Sequence, residues 1–299
     1  MIYTLTLNPA IDYVMHIDEL KKGEIMRSNK QSVLFGGKGI NVSQVLSQLR
    51  EKNVALGFAA GFTGMAICEG IKNEFTVPDF VFLKEGLSRI NVKLRADEET
   101  DINCSGPEIN KDDLKGLFEK LENIKSGDTL ILAGSVPKSL SKDIYAQILS
   151  KVEGKGVITV VDAEKDYLLN CLKYKPFLIK PNKEELEALF NKKIESIEEI
   201  LSAAKELWNM GAQNVLVSLG SDGALLLDES GCVHKRGSFK GEVLNTVGAG
   251  DSMVAGFVKG FLDSRDFDFA LKLGSACGSA TAFSVGLASI DKINELLEL

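Results

Sequence analysis

Between residues 111 and 223, short apolar runs alternate with segments of helical spacing, and this alternation constrains the fold more than any other feature of the chain. The runs at 129–133, 157–161, 177–180 and 214–219 are rich in Val, Ile and Leu, with little polar alternation. A strand wetted on one face alternates apolar with polar residues. Near-continuous apolar runs instead point to strands covered on both faces, as in a parallel sheet between helical layers. Helical patterns over 111–123, 141–152, 183–190 and 196–210, with another ending near 172, supply the crossovers. Runs at 2–7 and 54–62 read as further strands, and Thr63-Gly64 is expected to cap a helix running to about residue 75. The expected class is α/β, with a central, mostly parallel sheet and helices on both faces.

Open sheets of this kind bind ligands beyond the carboxyl ends of their strands. Asn8, Gly134, Asp162, Asn182 and Gly220 stand at such ends and are predicted to share one rim. Asp12 is expected in the turn after Pro9. Four segments, about 12–18, 31–35, 89–95 and 100–104, fall outside the main alternation. They are predicted to pair as a small separate sheet, a lid formed by about 12–35 and 88–105. No low-complexity linker divides the chain, so a single domain, 1–299, is expected.

Two glycine-rich turns run directly into amphipathic helices. In the first, Gly36-Gly37-Lys38-Gly39-Ile40-Asn41 precedes Val42, Val45, Leu46 and Leu49, one apolar face. It is not a P-loop, because Gly39 stands where that motif needs Ser or Thr. As a substrate site, Lys38 supplies charge, Gly37 lets the backbone approach a ligand, and Asn41 exchanges hydrogen bonds with hydroxyls; as a bare turn, it carries a solvated lysine. In the second, Gly248-Ala249-Gly250 precedes Asp251 and the face Val254, Phe257, Val258 and Phe261. Backbone N–H groups there, with the helix dipole, suit an anion. A carboxylate at that place makes sense if Asp251 takes a proton from the group that attacks the anion.

Four further features have two readings each. Asn182 and Glu185, three apart at a helix start, suit Mg²⁺ held partly through water, or a capping box. Ser218, Gly220 and Gly223 lie in a turn that either lets a flat purine nucleotide rest on the backbone or is simply tight. The small residues around Ser275–Ser279 admit a nucleotide base or a neighbouring helix. Arg89 is either a phosphate ligand or a solvated edge-strand arginine.

Net charge is −7 with no basic block, which argues against nucleic acid and anionic membranes as partners. Five cysteines without a C-x-x-C pair read as reduced thiols, and two histidines rule out a histidine-rich metal site. The pair Asp251-Ser252 superficially suggests a serine hydrolase, but neither His16 nor His234 sits in a matching context. The amino terminus is too short and too β-like for a signal peptide, and no apolar run reaches spanning length, so a cytoplasmic protein is expected.

Taken in order, Leu7-Asn8-Pro9-Ala10-Ile11-Asp12, the turn at 36–41, Gly134-Ser135-Val136-Pro137, Lys180-Pro181-Asn182-Lys183-Glu184-Glu185, Ser218–Gly223 and Asn245–Ser252 resemble the ordered motifs of the ribokinase/PfkB sugar kinases over nearly the whole chain. Thr6-Leu7-Asn8-Pro9, Arg89-Ile90-Asn91-Val92-Lys93-Leu94 and Thr246–Met253 are most similar to the branch acting on fructose 1-phosphate, with tagatose 6-phosphate kinases next. The resemblance implies a ribokinase-like fold, ATP and Mg²⁺ as cofactors, a small phosphosugar as partner and, by analogy, a lid-mediated homodimer. It also implies roles. Asp251 would be the base, and Gly248, Ala249 and Gly250 the anion cradle. Asp12 and Asn41 would hold sugar hydroxyls; Lys38 and Arg89, with Arg27 as a weaker candidate, would hold the sugar phosphate. Lys180 would touch nucleotide phosphate, Asn182 and Glu185 would position Mg²⁺, and Ser218, Gly220, Gly223, Ser275 and Ser279 would line the nucleotide site.

Overall fold

The computed structural model describes residues 1–298; Leu299, included in the expected domain, lies outside them. The chain opens with β1 (Ile2–Thr6), β2 (Ala10–His16), β3 (Lys30–Gly36), α1 (Lys38–Gln48), β4 (Asn53–Ala60) and α2 (Gly61–Ile71). Then come β5 (Thr76–Pro78), β6 (Val81–Leu83), β7 (Arg89–Arg95), β8 (Glu99–Asn103) and α3 (Lys111–Leu121). The regular alternation follows in β9 (Thr129–Ala133), α4 (Ile144–Val152), β10 (Ile158–Asp162), α5 (Lys165–Cys171), β11 (Leu178–Ile179), α6 (Lys183–Phe190), α7 (Ile197–Asn209) and β12 (Asn214–Ser218). The chain closes with β13 (Ala224–Leu227), β14 (Val233–Arg236), α8 (Ala249–Ser264), α9 (Phe267–Ala282) and α10 (Ile290–Leu297).

The large sheet runs β14-β13-β12-β11-β10-β9-β1-β4-β5, with β6 beside β4. It is parallel from β5 to β12 and turns antiparallel through β13 and β14. Strand β9 shows why the apolar runs form its centre. Leu130 and Leu132 face one core and Ile131 and Ala133 the other, all fully buried. Side chains alternate faces along a strand, so a run apolar at every position serves two helical layers. Helices α3, α4, α5, α6 and α7 cover one face, and α1, α8, α9 and α10 the other.

The lid is a four-stranded sheet, β3-β2-β7-β8. Its strands are the four segments expected to pair, in a register that sets Ala10 against Gly36 and Arg89. Asp12 lies within β2 rather than in a turn, because β2 pairs on both edges as soon as Pro9 is passed. Helix α2 starts at Gly61 and ends at Ile71, not near 75. Asn73 Oδ1 accepts from the N–H groups of Phe75 and Thr76, and this side-chain turn bends the chain into β5. Strands β5 and β14 had no sequence signal; they are short edge strands held by pairing.

Candidate active site

The carboxyl ends of β1, β9, β11 and β12 open into one cleft of about 1340 Å³, roofed by the lid. Drug-sized ligands occupy about 300–1,000 Å³, so this cleft has room for two substrates. Asn8, Gly134, Asn182 and Gly220 line it, as the strand-end argument expects. The lid contributes Asp12, Arg89, Asn91 and Asn103.

At the floor lies the start of α8. Gly248 caps it at φ 83°, and a Cβ there would meet Leu287 Cδ2 at 2.6 Å, so only glycine fits. In the first turn the Ala249 N–H donates to Thr246 O at 3.2 Å and the Ser252 N–H to Gly248 O at 2.8 Å, while those of Gly250 and Asp251 between them have no intrahelical acceptor and suit an anion. Asp251 sits in that turn, 6% exposed. Its Oδ2 accepts from Asn41 Nδ2 at 2.8 Å, across 210 residues of sequence. Burial, then repulsion from Asp162, pushes the Asp251 carboxyl up to about 6; the Asn41 hydrogen bond and the lysines Lys38 and Lys180 oppose this. A carboxylate in that range is a base poised near neutral pH.

Asp162 is the residue whose role the sequence did not reveal. It is 1% exposed, and two lysines close on it: Lys38 Nζ at 3.0 Å and Lys180 Nζ at 3.5 Å. Burial raises the Asp162 carboxyl, but Lys180 and Lys38 outweigh burial and hold it below the ordinary range. Burial would lower the Lys38 ammonium; Asp162, Asp251 and Glu185 instead hold it above the usual lysine range. The only sequence signal for this hub was a charge ending the apolar run of β10. Lys180 Nζ also lies 3.2 Å from where a Cβ on Gly250 would stand, so its charge flanks the glycine turn.

Asn182 and Glu185 form the capping box of α6. Asn182 Oδ1 accepts from Glu185 N at 2.7 Å, and Glu185 Oε2 accepts from Asn182 N at 2.9 Å. Glu185 Oε1 is left over, 3.9 Å from Lys38 Nζ. Among the described residues no three His, Cys, Asp or Glu side chains form a metal cage. A hard cation here would take most of its oxygens from phosphate and water, with Glu185 Oε1 as the spare carboxylate oxygen.

Ser218, Gly220, Gly223, Ser275 and Ser279 all line the cleft. Ser275 Oγ is buried without a hydrogen-bond partner, a vacancy that a nucleotide's polar edge fits. The small residues of α9 serve packing as well. A Cβ on Gly274 would meet Met253 O at 2.9 Å, and one on Gly256 would meet Cys277 Sγ at 2.7 Å, so α8 and α9 touch backbone to backbone.

Arg27 does not reach the cleft. It is exposed in the loop joining β2 to β3, beyond the end of the lid ladder where His16 pairs with Lys30. The cleft is at the opposite end, where Ala10 pairs with Gly36, about 20 Å away at the usual strand rise. Ser252 is no nucleophile: it is fully buried, with Oγ donating to Gly248 O at 2.8 Å and meeting Thr281 Oγ1 at 2.7 Å. His234 is held by Asp228 and Asp268, and His16 is exposed on the lid.

Comparison with known proteins places this geometry. The family model for pfkB family carbohydrate kinases matches residues 5–293. The chain belongs to the pfkB family. The chain is 41% identical over 297 residues to a 1-phosphofructokinase of Bacillus subtilis, covering 99% of this chain and 97% of that one. It is 40% identical over 296 residues to a D-tagatose-1-phosphate kinase of Bacillus licheniformis, again at 99% and 97% coverage. The phosphofructokinase-2 of Escherichia coli, solved in complex with fructose-6-phosphate, superposes with a TM-score of 0.91 at 28% identity, covering 99% and 98% of the two chains. This pfkB protein is therefore an ATP-dependent sugar kinase with a ribokinase-like fold and a small lid sheet. No helix among its described residues is long and apolar enough to cross a membrane.

Proposed function

We propose that this kinase transfers the γ-phosphoryl group of ATP to the 6-hydroxyl of D-fructose 1-phosphate, giving fructose 1,6-bisphosphate, with Asp251 as general base. The observation that carries the proposal is Asp251 itself, a buried carboxyl held near 6 in the first turn of α8. Asn41 fixes its orientation and leaves Oδ1 for the sugar hydroxyl. As the hydroxyl attacks, its proton passes to Asp251 and the transferring group moves against the glycine turn. The turn Gly248-Ala249-Gly250, through the backbone N–H groups not already donated to Thr246 O, and the Lys180 ammonium face the charge that develops there. A positioned base contributes about 10²–10⁴-fold, and each preorganised donor about 10²–10³-fold. In-line phosphoryl transfer needs little else from the protein.

Arg89 and Lys38 supply positive charge for the sugar phosphate, and Asp12 and Asn41 hold hydroxyls. Ser218, Gly220, Gly223, Ser275 and Ser279 receive the nucleotide. Glu185 and Asn182 would hold Mg²⁺ through water, and the ion would neutralise nucleotide phosphate charge. A homodimer through the lid, whose Val33, Leu34 and Ile102 stand exposed, completes the proposal; sedimentation as a 32.4 kDa monomer would count against it.

A second reading has a specific basis. Relatives at 40% and 30% identity are named D-tagatose-1-phosphate kinases. That moves the tagatose alternative from the 6-phosphate to the 1-phosphate. An ADP-release assay across fructose 1-phosphate, tagatose 1-phosphate, tagatose 6-phosphate and fructose 6-phosphate decides. The highest kcat/KM is expected with fructose 1-phosphate; a higher value with any of the others overturns the assignment.

A further inference from the structure

The inner face of the lid carries unused hydrogen-bonding capacity that stops abruptly. Along β7, Arg89, Asn91, Lys93 and Arg95 are spaced by two and share one face. Lys93 and Arg95 are already satisfied by Asp101, at 2.8 and 3.1 Å, with Glu99 at 3.3 Å from Arg95. Arg89 Nε and Asn91 Oδ1 are buried and have no partner. Both unpartnered groups line the cleft, and Asn91 is the last of them along β7.

Asn91 is 6% exposed and lies directly across the strand pair from Asp12. Its Nδ2 donates to Asp12 Oδ1 at 2.7 Å. That bond fixes the amide, since a carboxylate accepts only from the nitrogen. The amide oxygen is then an acceptor with no donor, beside a carboxylate that retains a second acceptor oxygen. Two neighbouring acceptors match two neighbouring hydroxyls, each donating one proton. A buried acceptor left unpaired carries a penalty that a donor removes, so a substrate lacking the hydroxyl, or presenting it on the wrong face, is discriminated against.

We propose that Asn91, acting with Asp12, is a specificity-determining residue that reads adjacent ring hydroxyls of the ketose phosphate. This rests on the kinase reading above. It goes beyond that reading in assigning the choice between sugars that differ only in the configuration of one ring hydroxyl to an acceptor pair on the lid. Fructose and tagatose phosphates are such sugars, epimers at C4.

The test compares the parent enzyme and Asn91→Ala on the favoured ketose phosphate and on its 3-deoxy and 4-deoxy analogues. The parent's activity on the intact sugar checks the kinase reading by itself. For Asn91→Ala, kcat/KM on the intact sugar is expected to fall about tenfold or more, mainly through the sugar KM, with the KM for ATP unchanged. On one of the deoxy analogues the substitution should cost little, because the missing hydroxyl has already removed the contact. The preference between fructose and tagatose 1-phosphates should also narrow. Equal losses on all three substrates would mean that Asn91 only supports the strand, and would overturn the proposal. If Asn91→Ala does not fold, Asn91→Ser in the same comparison decides by the same criterion.

Discussion

At the scale of single residues, the site depends on charges that burial holds together. Asp251 was readable as a candidate base because a carboxylate beside an anion-binding turn has few other uses. Asp162 was not, since its meaning comes from Lys38, 124 residues away, and from Lys180. Asn91 was hidden in the same way: its partner Asp12 is 79 residues distant. Arg27 shows the converse, where a cation near the motifs in sequence stands at the wrong end of the lid ladder. The raised Asp251 pKa carries a stability consequence of definite sign. Its folded value of about 6 lies above the ordinary 3.8. The folded state therefore holds this proton more tightly than the unfolded chain does, and stability falls as pH rises from about 4 through 6. Asp251→Asn is expected to be more stable than the parent at pH 8, by about 1–3 kcal/mol, with the gap closing near pH 4. Urea titrations at the two pH values measure it; a variant no more stable at pH 8 than the parent contradicts the electrostatic picture.

At the scale of elements, local pattern and tertiary use separate cleanly in two helix starts. Helix α3 opens with Asn110 and Asp113, and α6 with Asn182 and Glu185; both are complete capping boxes. The second box was readable in the sequence, but only the fold decides that it borders the cleft while the first is exposed. Asn110→Ala and Asn182→Ala are each expected to cost about 1 kcal/mol of stability. Only Asn182→Ala should also raise the KM for MgATP, severalfold, because the amide oxygen lost from the Glu185 N–H also borders the cleft beside the spare Glu185 oxygen. Equal kinetic effects from the two variants would deny the second box any role beyond capping. The elements that sequence could not show, β5 and β14, are three- and four-residue edge strands. Such strands have too few positions for periodicity to register, and their neighbours define them.

At the scale of the whole molecule, the strand-end rule did most of the placing. A parallel sheet buried on both faces has one rim where loops, helix starts and unpaired polar groups converge, and the motifs fell there without any contact being known. The four leftover segments had to go somewhere, and a lid over that rim was the arrangement that paired them. What stayed out of reach was how lid and rim meet, because a strand pattern gives faces but not the approach of one sheet to another. The lid sets Arg89 and Asn91 on the same cleft as Asp251 and the glycine turn, a juxtaposition that no single element could show.

The most direct measurement of that claim is the pH dependence of kcat in saturating ATP and sugar phosphate, for the parent and for Asp251→Asn. If Asp251 is the base, kcat in the parent should fall tenfold per pH unit on the acid side of a single apparent pKa and level off above it, since only the ionised carboxyl accepts the proton. The residual rate of Asp251→Asn should be at least about a hundredfold lower at pH 8 and should lack that acid limb, while ATP still binds. A variant that retains both the rate and the limb would show that proton removal resides elsewhere.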